Sequence, residues 1–361
     1  MRARCMVGEA WRDVLSGTTR AGVFAVVFVA LVGGLASVDV RSVVSLLAGA
    51  DHFRVSGAAV QVLNADGSVD GARCDGLSST AGVGAAGAVR QGTPIRFFAM
   101  PASQISVMEV TPGLAPMLGV IGQPSASDPA IPDGIWLSAD LAQVLGASPG
   151  RTVATSAGPA LVAGVYTWPD DGRGRDLGYA VVAPVPAQGS FSQCWTQIWP
   201  TNQEAQTLAF VAVTSDSTDL QITQGQLNTT LGLTYDTATL LATRLTGAAP
   251  WAAAVIGLVL GFTAVHLRRL EIASSLHARV TRTSLLWQHL CEAVFWIGAG
   301  VVISGAGLAW AAGWGNPDPA WSTWIIGARV LVAGAAATAL GTMVGVLAVR
   351  ETHLFRYTKA R

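Results

Sequence analysis

The chain has 361 residues, 51% of them hydrophobic and only 12% charged, with 22 basic side chains balanced by 22 acidic ones. Soluble domains carry about 25% charged residues, so this is the composition of an integral membrane protein with one soluble domain. The zero formal charge argues against a nucleic-acid partner, and without a GxxxxGK[ST] phosphate loop any ATP must be bound by another chain.

Residues 1–20 carry Arg2, Arg4, Arg12 and Arg20, while Val7, Trp11, Val14 and Leu15 recur at helical spacing. That pattern predicts a short cytoplasmic helix in the membrane interface. Ala21 to Val38 is an uncharged run of 18 residues, long enough to cross a hydrocarbon core of about 30 Å; the first span is placed at 21–40. A secretory signal peptide is the competing reading. The run is longer than a typical signal core, and Leu35-Ala36-Ser37 is a poor cleavage site.

From 41 to 245 the character changes to short alternating apolar runs separated by Gly, Pro, Asp and Ser. FRVSGAAVQVL, PIRFFAM, SVMEV, GIWLS, TVATS, ALVAGVY, AVVAPV and LAFVAVT are strand signals, with helical pieces at Ala139 to Leu145 and Thr237 to Leu245. The expectation is a mixed α+β domain of roughly 200 residues, large enough for its own core. It offers no catalytic set: His52 is its one histidine, with no positioned nucleophile. The loop Asp170 to Asp176 lacks the ligand spacing of an EF-hand and reads as an exposed turn available to a partner. No cluster in the chain has metal-ligand spacing.

Further spans are expected at 246–266, 290–312 and 324–349, with Gly257xxxGly261 and Gly341xxxGly345 read as close helix packing. The N-terminal segment, the 267–289 connection and the 350–361 tail hold four basic residues each, whereas the 313–323 loop holds none. The positive-inside rule therefore puts both termini and the 267–289 connection in the cytoplasm and residues 41–245 outside. Cys74 and Cys194 then face an oxidising exterior, and a disulfide between them is the one external pairing open. Arg329, just inside the outer end of the fourth span, either pairs with Asp39 at the outer end of the first or snorkels to the interface.

One span, a large external domain and three more spans with a charged connection after the second is a layout that resembles the MacB/FtsX-like ABC permeases. EAWRDVLSGTTRAGVFAVVFVAL resembles the family's interfacial helix leading into its first span. Val110-Thr111-Pro112 with Leu118-Gly119, Ile135-Trp136-Leu137-Ser138 with Leu141-Ala142 and Leu145-Gly146, and LVAGVY (161–166) resemble signatures of its external core, beside which a smaller subdomain is expected. Arg268-x-x-Glu271-Ile272, followed by Glu292-Ala293, resembles its coupling region, although Arg279-Val280 stands where the family usually has a Gly-Ala pair.

The resemblance implies a bacterial plasma-membrane permease that is not itself an enzyme. It would work as a homodimer among membrane lipid, each copy contacting one subunit of a separate ABC ATPase that holds ATP and Mg. Arg268, Glu271, Ile272, Arg279, Arg282 and Glu292 become the candidate ATPase-coupling residues, with Arg279 and Arg282 the expected contacts to acidic groups. Mechanical coupling would drive export of a peptide, lipoprotein, antibiotic or lipid, with an external lipoprotein or fusion protein as a further partner. The alternative is a signalling permease that regulates a cell-wall hydrolase and transports nothing.

Overall fold

The computed structural model describes Gly8, Arg12 and residues 20–120, 134–201, 207–214 and 221–351. The interfacial helix expected over 1–20 and nearly all of the 350–361 tail therefore lie outside the described residues. By internal contacts the chain divides into one unit of Met1–Gly49 with Thr237–Arg361 and a second of Ala50–Asp236.

Helix α1, Ala21–Val55, has 35 residues and runs well beyond the 21–40 expected of it. No proline interrupts 21–55, so the helix continues through the polar stretch Asp39–Arg54 until Gly57 turns the chain with φ 78°. A π-helical turn at Val29–Gly33 lies within it. A Cβ on Gly33 would fall 2.3 Å from the Ser304 hydroxyl, so only glycine permits that approach.

The second unit holds, in chain order, β1 Val60–Asp70, α2 Gly71–Gly76, β2 Val83–Gln91, β3 Ile95–Phe97, β4 Met100–Ile105, β5 Val107–Val110 and α3 Ala115–Leu118. It continues with β6 Ile135–Ser138, α4 Ala139–Leu145, β7 Thr152–Thr155, β8 Gly158–Tyr166, β9 Val181–Pro184, β10 Ser190–Ile198 and β11 Thr223–Gln226. These strands form one sheet in the order β11-β1-β10-β2-β5-β9-β6-β8-β7-β3-β4. Pairing is antiparallel except at β5/β9 and β6/β8.

Helix α4 starts and stops as its residues dictate. The Ser138 hydroxyl accepts from the Leu141 amide at 3.4 Å, and Gly146 closes the far end at φ 58°. LAFVAVT was expected to be a strand. Instead Thr207–Ala212 is a 3-10 helix, because Ala209 and Ala212, three apart, are the pair that is fully buried. Cys74 on α2 and Cys194 at the centre of β10 are both 0% exposed and form a disulfide. Beside it, burial pushes the Asp75 carboxyl above its usual range, against hydrogen bonds from Thr111 and Gly113.

The 170–176 loop is not the free turn expected. Arg173 is only 7% exposed, pairs with Asp171 at 2.7 Å, donates to the Val55 carbonyl at 2.9 Å and lies over the Trp168 ring at 4.9 Å. Its guanidinium satisfies a carbonyl left open at the end of α1.

The first unit continues through α5 Thr237–Thr243, α6 Ala249–His266, α7 Arg269–His277, α8 Arg282–Gly313 and α9 Ala320–Ala348. Among the described residues, four helices are long and apolar enough to cross a membrane: Ala21–Val55, Leu245–His266, Arg282–Gly313 and Ala320–Ala348. The two glycine pairs face one another across α6 and α9: a Cβ on Gly261 would sit 2.0 Å from the Thr338 carbonyl, and one on Gly341 2.1 Å from that of Leu258. They serve packing within the chain.

Asp39 does not pair with Arg329. It is 1% exposed and lies 3.3 Å from the Arg244 guanidinium, while Arg329 is on an exposed face of α9. Arg244 stands directly before the second span, at the same end of the bundle as Asp39. Neighbouring contacts tie the same stretch of α1 down: the Ser42 and Thr246 hydroxyls are 2.7 Å apart, and Arg41 donates to the Trp314 carbonyl at 2.5 Å.

Candidate coupling site

The polar connection between the second and third spans is a compact helical knob. HLRRLEIASSL has few helix breakers and so permits the second span to continue into it, but a turn at Leu267–Arg268 separates α6 from α7. That turn aims the Arg268 side chain inward. Its Nε and Nη2 donate to the two Glu271 oxygens, both at 2.8 Å, and its Nη1 donates to Glu292 Oε2 at 2.5 Å. Burial alone would lower the Arg268 pKa, but the hydrogen bonds and charges of Glu271 and Glu292 outweigh it and hold the pKa above its ordinary value. His289 Nδ1 lies 3.1 Å from the same Glu292 oxygen. A cavity of about 20 Å³ adjoins Arg268, His289, Glu292 and Thr342, room for a single water.

An apolar foot sets beneath this cluster. Ile272 and Ala273 of α7 are buried with Val265 of α6, Leu285 of α8, and Val346 and Val349 at the end of α9. The knob is thus fixed to three membrane helices by packing as well as charge.

Helix α7 closes in a Schellman arrangement. The Val280 amide donates to the Ser275 carbonyl at 3.1 Å and the Arg279 amide to that of Leu276 at 3.0 Å. Arg279 occupies the left-handed position at φ 65°, a conformation glycine adopts without strain. The departure from the Gly-Ala pair thus leaves the turn intact with a non-glycine residue in it. Thr281 then caps α8, its hydroxyl accepting from the Ser284 amide at 3.4 Å.

These contacts divide the six expected coupling residues into two groups. Arg268, Ile272 and Glu292 are internal, with side chains 12% and 5% exposed for the two charged ones and Ile272 1% exposed, so none is free to grip a partner. Arg279 and Arg282 are exposed, as are His277, Thr281 and Thr283 around them, and Glu271 is exposed but held by Arg268. Sequence reasoning missed two members of these polar networks. His289 stands three residues before Glu292, hence on its face of α8. Arg244 is a cation at the supposedly outer end of a span, and that breach of the charge rule was its signal.

The fold and this site define a membrane protein with a sheet-rich extramembrane domain inserted between its first and second spans. No family model and no curated protein matches the sequence. Solved structures to which the chain is similar are domains of a MacB protein, of a permease and of an ABC-type transporter. The periplasmic region of MacB from Actinobacillus actinomycetemcomitans is 10% identical, with a TM-score of 0.36 over 49% of this chain and 92% of that one. A permease domain from Porphyromonas gingivalis is 14% identical, with a TM-score of 0.36 over 48% and 92%. The extracellular domain of the ABC-type transporter YknZ from Gram-positive bacteria is 14% identical, with a TM-score of 0.30 over 41% and 88%.

Proposed function

We propose that this chain is the permease subunit of a MacB/FtsX-like ABC transporter. It would convert ATP hydrolysis on a separate cytoplasmic ATPase into movement of its inserted domain, and so expel a peptide, lipoprotein, antibiotic or lipid from the outer face of the membrane. The observation that carries this reading is the division of labour in the knob. Buried Arg268 and Glu292 lock it to α8, while Arg279 and Arg282 stand outward on the adjoining turn. A lever needs both a stiff joint and a grip, and the two sets of residues answer to these needs. Two copies of the chain, one per ATPase subunit, complete the proposed assembly, with both termini on the ATPase side.

The test is the full complex reconstituted in nanodiscs. Arg279→Glu/Arg282→Glu should abolish stimulation of the ATPase by the permease while leaving the chain's unfolding midpoint unchanged. Undiminished stimulation would reject the grip. Substrate clearance by a complex whose ATPase cannot hydrolyse ATP would reject coupled export, and capture of a cell-wall hydrolase by the external domain would favour the signalling role.

A further inference from the structure

The sheet-rich unit contains a cleft of about 390 Å³ that the coupling reading does not use. Its walls include Met117, Trp168, Trp195 and Leu227, with Arg54 and Arg173 also lining it. That volume falls within the range of small-molecule sites.

The two indoles are held before any ligand arrives. Trp168 Nε1 donates to the Gly174 carbonyl at 2.7 Å, and Trp195 Nε1 to Gln193 Oε1 at 2.8 Å. Arg173 lies over the Trp168 ring, and the two indole centroids are 6.4 Å apart. With both N–H groups satisfied inside the protein, the rings make no directional polar demand; Trp195 is 6% exposed and backs the cleft, so the aromatic surface open to a ligand is chiefly that of half-buried Trp168. Rigid aromatic walls lose little entropy on binding.

The two arginines differ in what they have left to give. Arg173 is spent: its side chain is 7% exposed, doubly bonded to Asp171 and bonded to the Val55 carbonyl. Arg54 is 50% exposed, and its partner is Asp51, one turn away on the same helix and 38% exposed. Such a surface pair is weak and is readily exchanged for a better anion. The cleft therefore presents an apolar aromatic body with one exchangeable cation.

We propose that this cleft binds a small amphipathic organic acid, its flat apolar part against Trp168 and Trp195 and its carboxylate on Arg54. The carboxylate displaces Asp51 from the guanidinium, so no buried charge is left unpaired. The site lies wholly within the second unit and does not depend on the ATPase coupling proposed above.

The experiment uses the full chain in phosphatidylcholine nanodiscs, with saturable binding measured by titration calorimetry against empty nanodiscs. The probes are indole-3-butyrate, 4-phenylbutyrate and octanoate, with the neutral alcohol tryptophol as control. At least one acid should bind saturably, and tryptophol more weakly than indole-3-butyrate. Arg54→Gln should weaken the acid roughly tenfold, as loss of a charge-assisted bond implies, and leave tryptophol unchanged. Met117→Trp, which fills the cleft, should abolish binding of both indoles; unfolding midpoints equal to the parent's confirm that the variants fold. Absence of saturable binding by all three acids, or binding indifferent to both substitutions, would overturn the proposal.

Discussion

The buried joint between Arg268 and Glu292 makes a quantitative demand on stability. Replacing Arg268 by Met leaves the Glu292 carboxylate in a site where its side chain is 5% exposed, with only His289 beside it. Stranding a buried charge costs about 3–5 kcal/mol. Replacing Glu292 by Leu strands no charge, because Arg268 keeps both bonds to the exposed Glu271; it removes the bond to Arg268 and the contact to buried His289, and each charge-assisted hydrogen bond lost costs about 1.5–3 kcal/mol. The double variant strands no charge, and it loses the His289 contact just as the Glu292 variant does, so its cost should fall at least 2 kcal/mol short of the sum, within the roughly 0.5–3 kcal/mol range of coupling between contacting residues. Unfolding in mixed micelles of rising dodecyl sulfate fraction, followed by tryptophan fluorescence, measures all four corners of the cycle. Costs that add within about 0.5 kcal/mol would refute the joint.

Three further outcomes are expected. Arg279→Gly relieves a left-handed conformation that costs a non-glycine residue about 1–2 kcal/mol; allowing for glycine's greater unfolded-state freedom, it should leave stability level or raise it by up to ~1 kcal/mol, whereas Arg279→Val should lower it in the same micelle assay. Gly261→Ala places a carbon 2.0 Å from the Thr338 carbonyl and should cost about 1–3 kcal/mol through forced separation of α6 and α9, while the same change at Gly298, which meets nothing within 4 Å, should cost none. Burial pushes the Asp171 carboxyl up, but Arg173 outweighs it and holds the group below its usual range; its contribution is present above an unfolded value near 4 and is lost as pH falls through the lower folded value. Asp171→Asn should therefore flatten the acid limb of the stability profile, and an unchanged limb would show that the pair contributes nothing.

The four spans were legible because their signal is cumulative: hydropathy over twenty residues outweighs any single side chain. Their ends were not. Helix α1 outruns its apolar segment because nothing between Asp39 and Arg54 breaks a helix, and hydropathy measures solvent preference rather than backbone continuity. Helix α4 was read to the residue, since Ser138 and Gly146 are local signals whose geometry needs no tertiary help. β2, β4, β10 and β11 were missed: VGAAGAVRQ offers too little side-chain contrast, and MPASQI is an edge strand with few apolar positions to alternate. In the candidate coupling site the sequence named six residues but not which of them are buried and which stand exposed. Arg268 and Arg279 look alike in sequence, but one is drawn inward by Glu292, twenty-four positions away, and the other is turned outward by a helix terminus. Likewise Asp39 had Arg329 as its one expected partner, and it is three-dimensional packing that brings Arg244 to it instead.

The most direct test of the account places a photo-crosslinking amino acid at Arg279 in the full chain, in its native membrane, with Ile272 as the buried control. The account predicts a light-dependent adduct from position 279 and none from 272, the captured protein carrying the ATP-binding phosphate loop that this chain lacks. Adducts to lipid alone from position 279, or equal capture of the ATPase from the buried position, would contradict it.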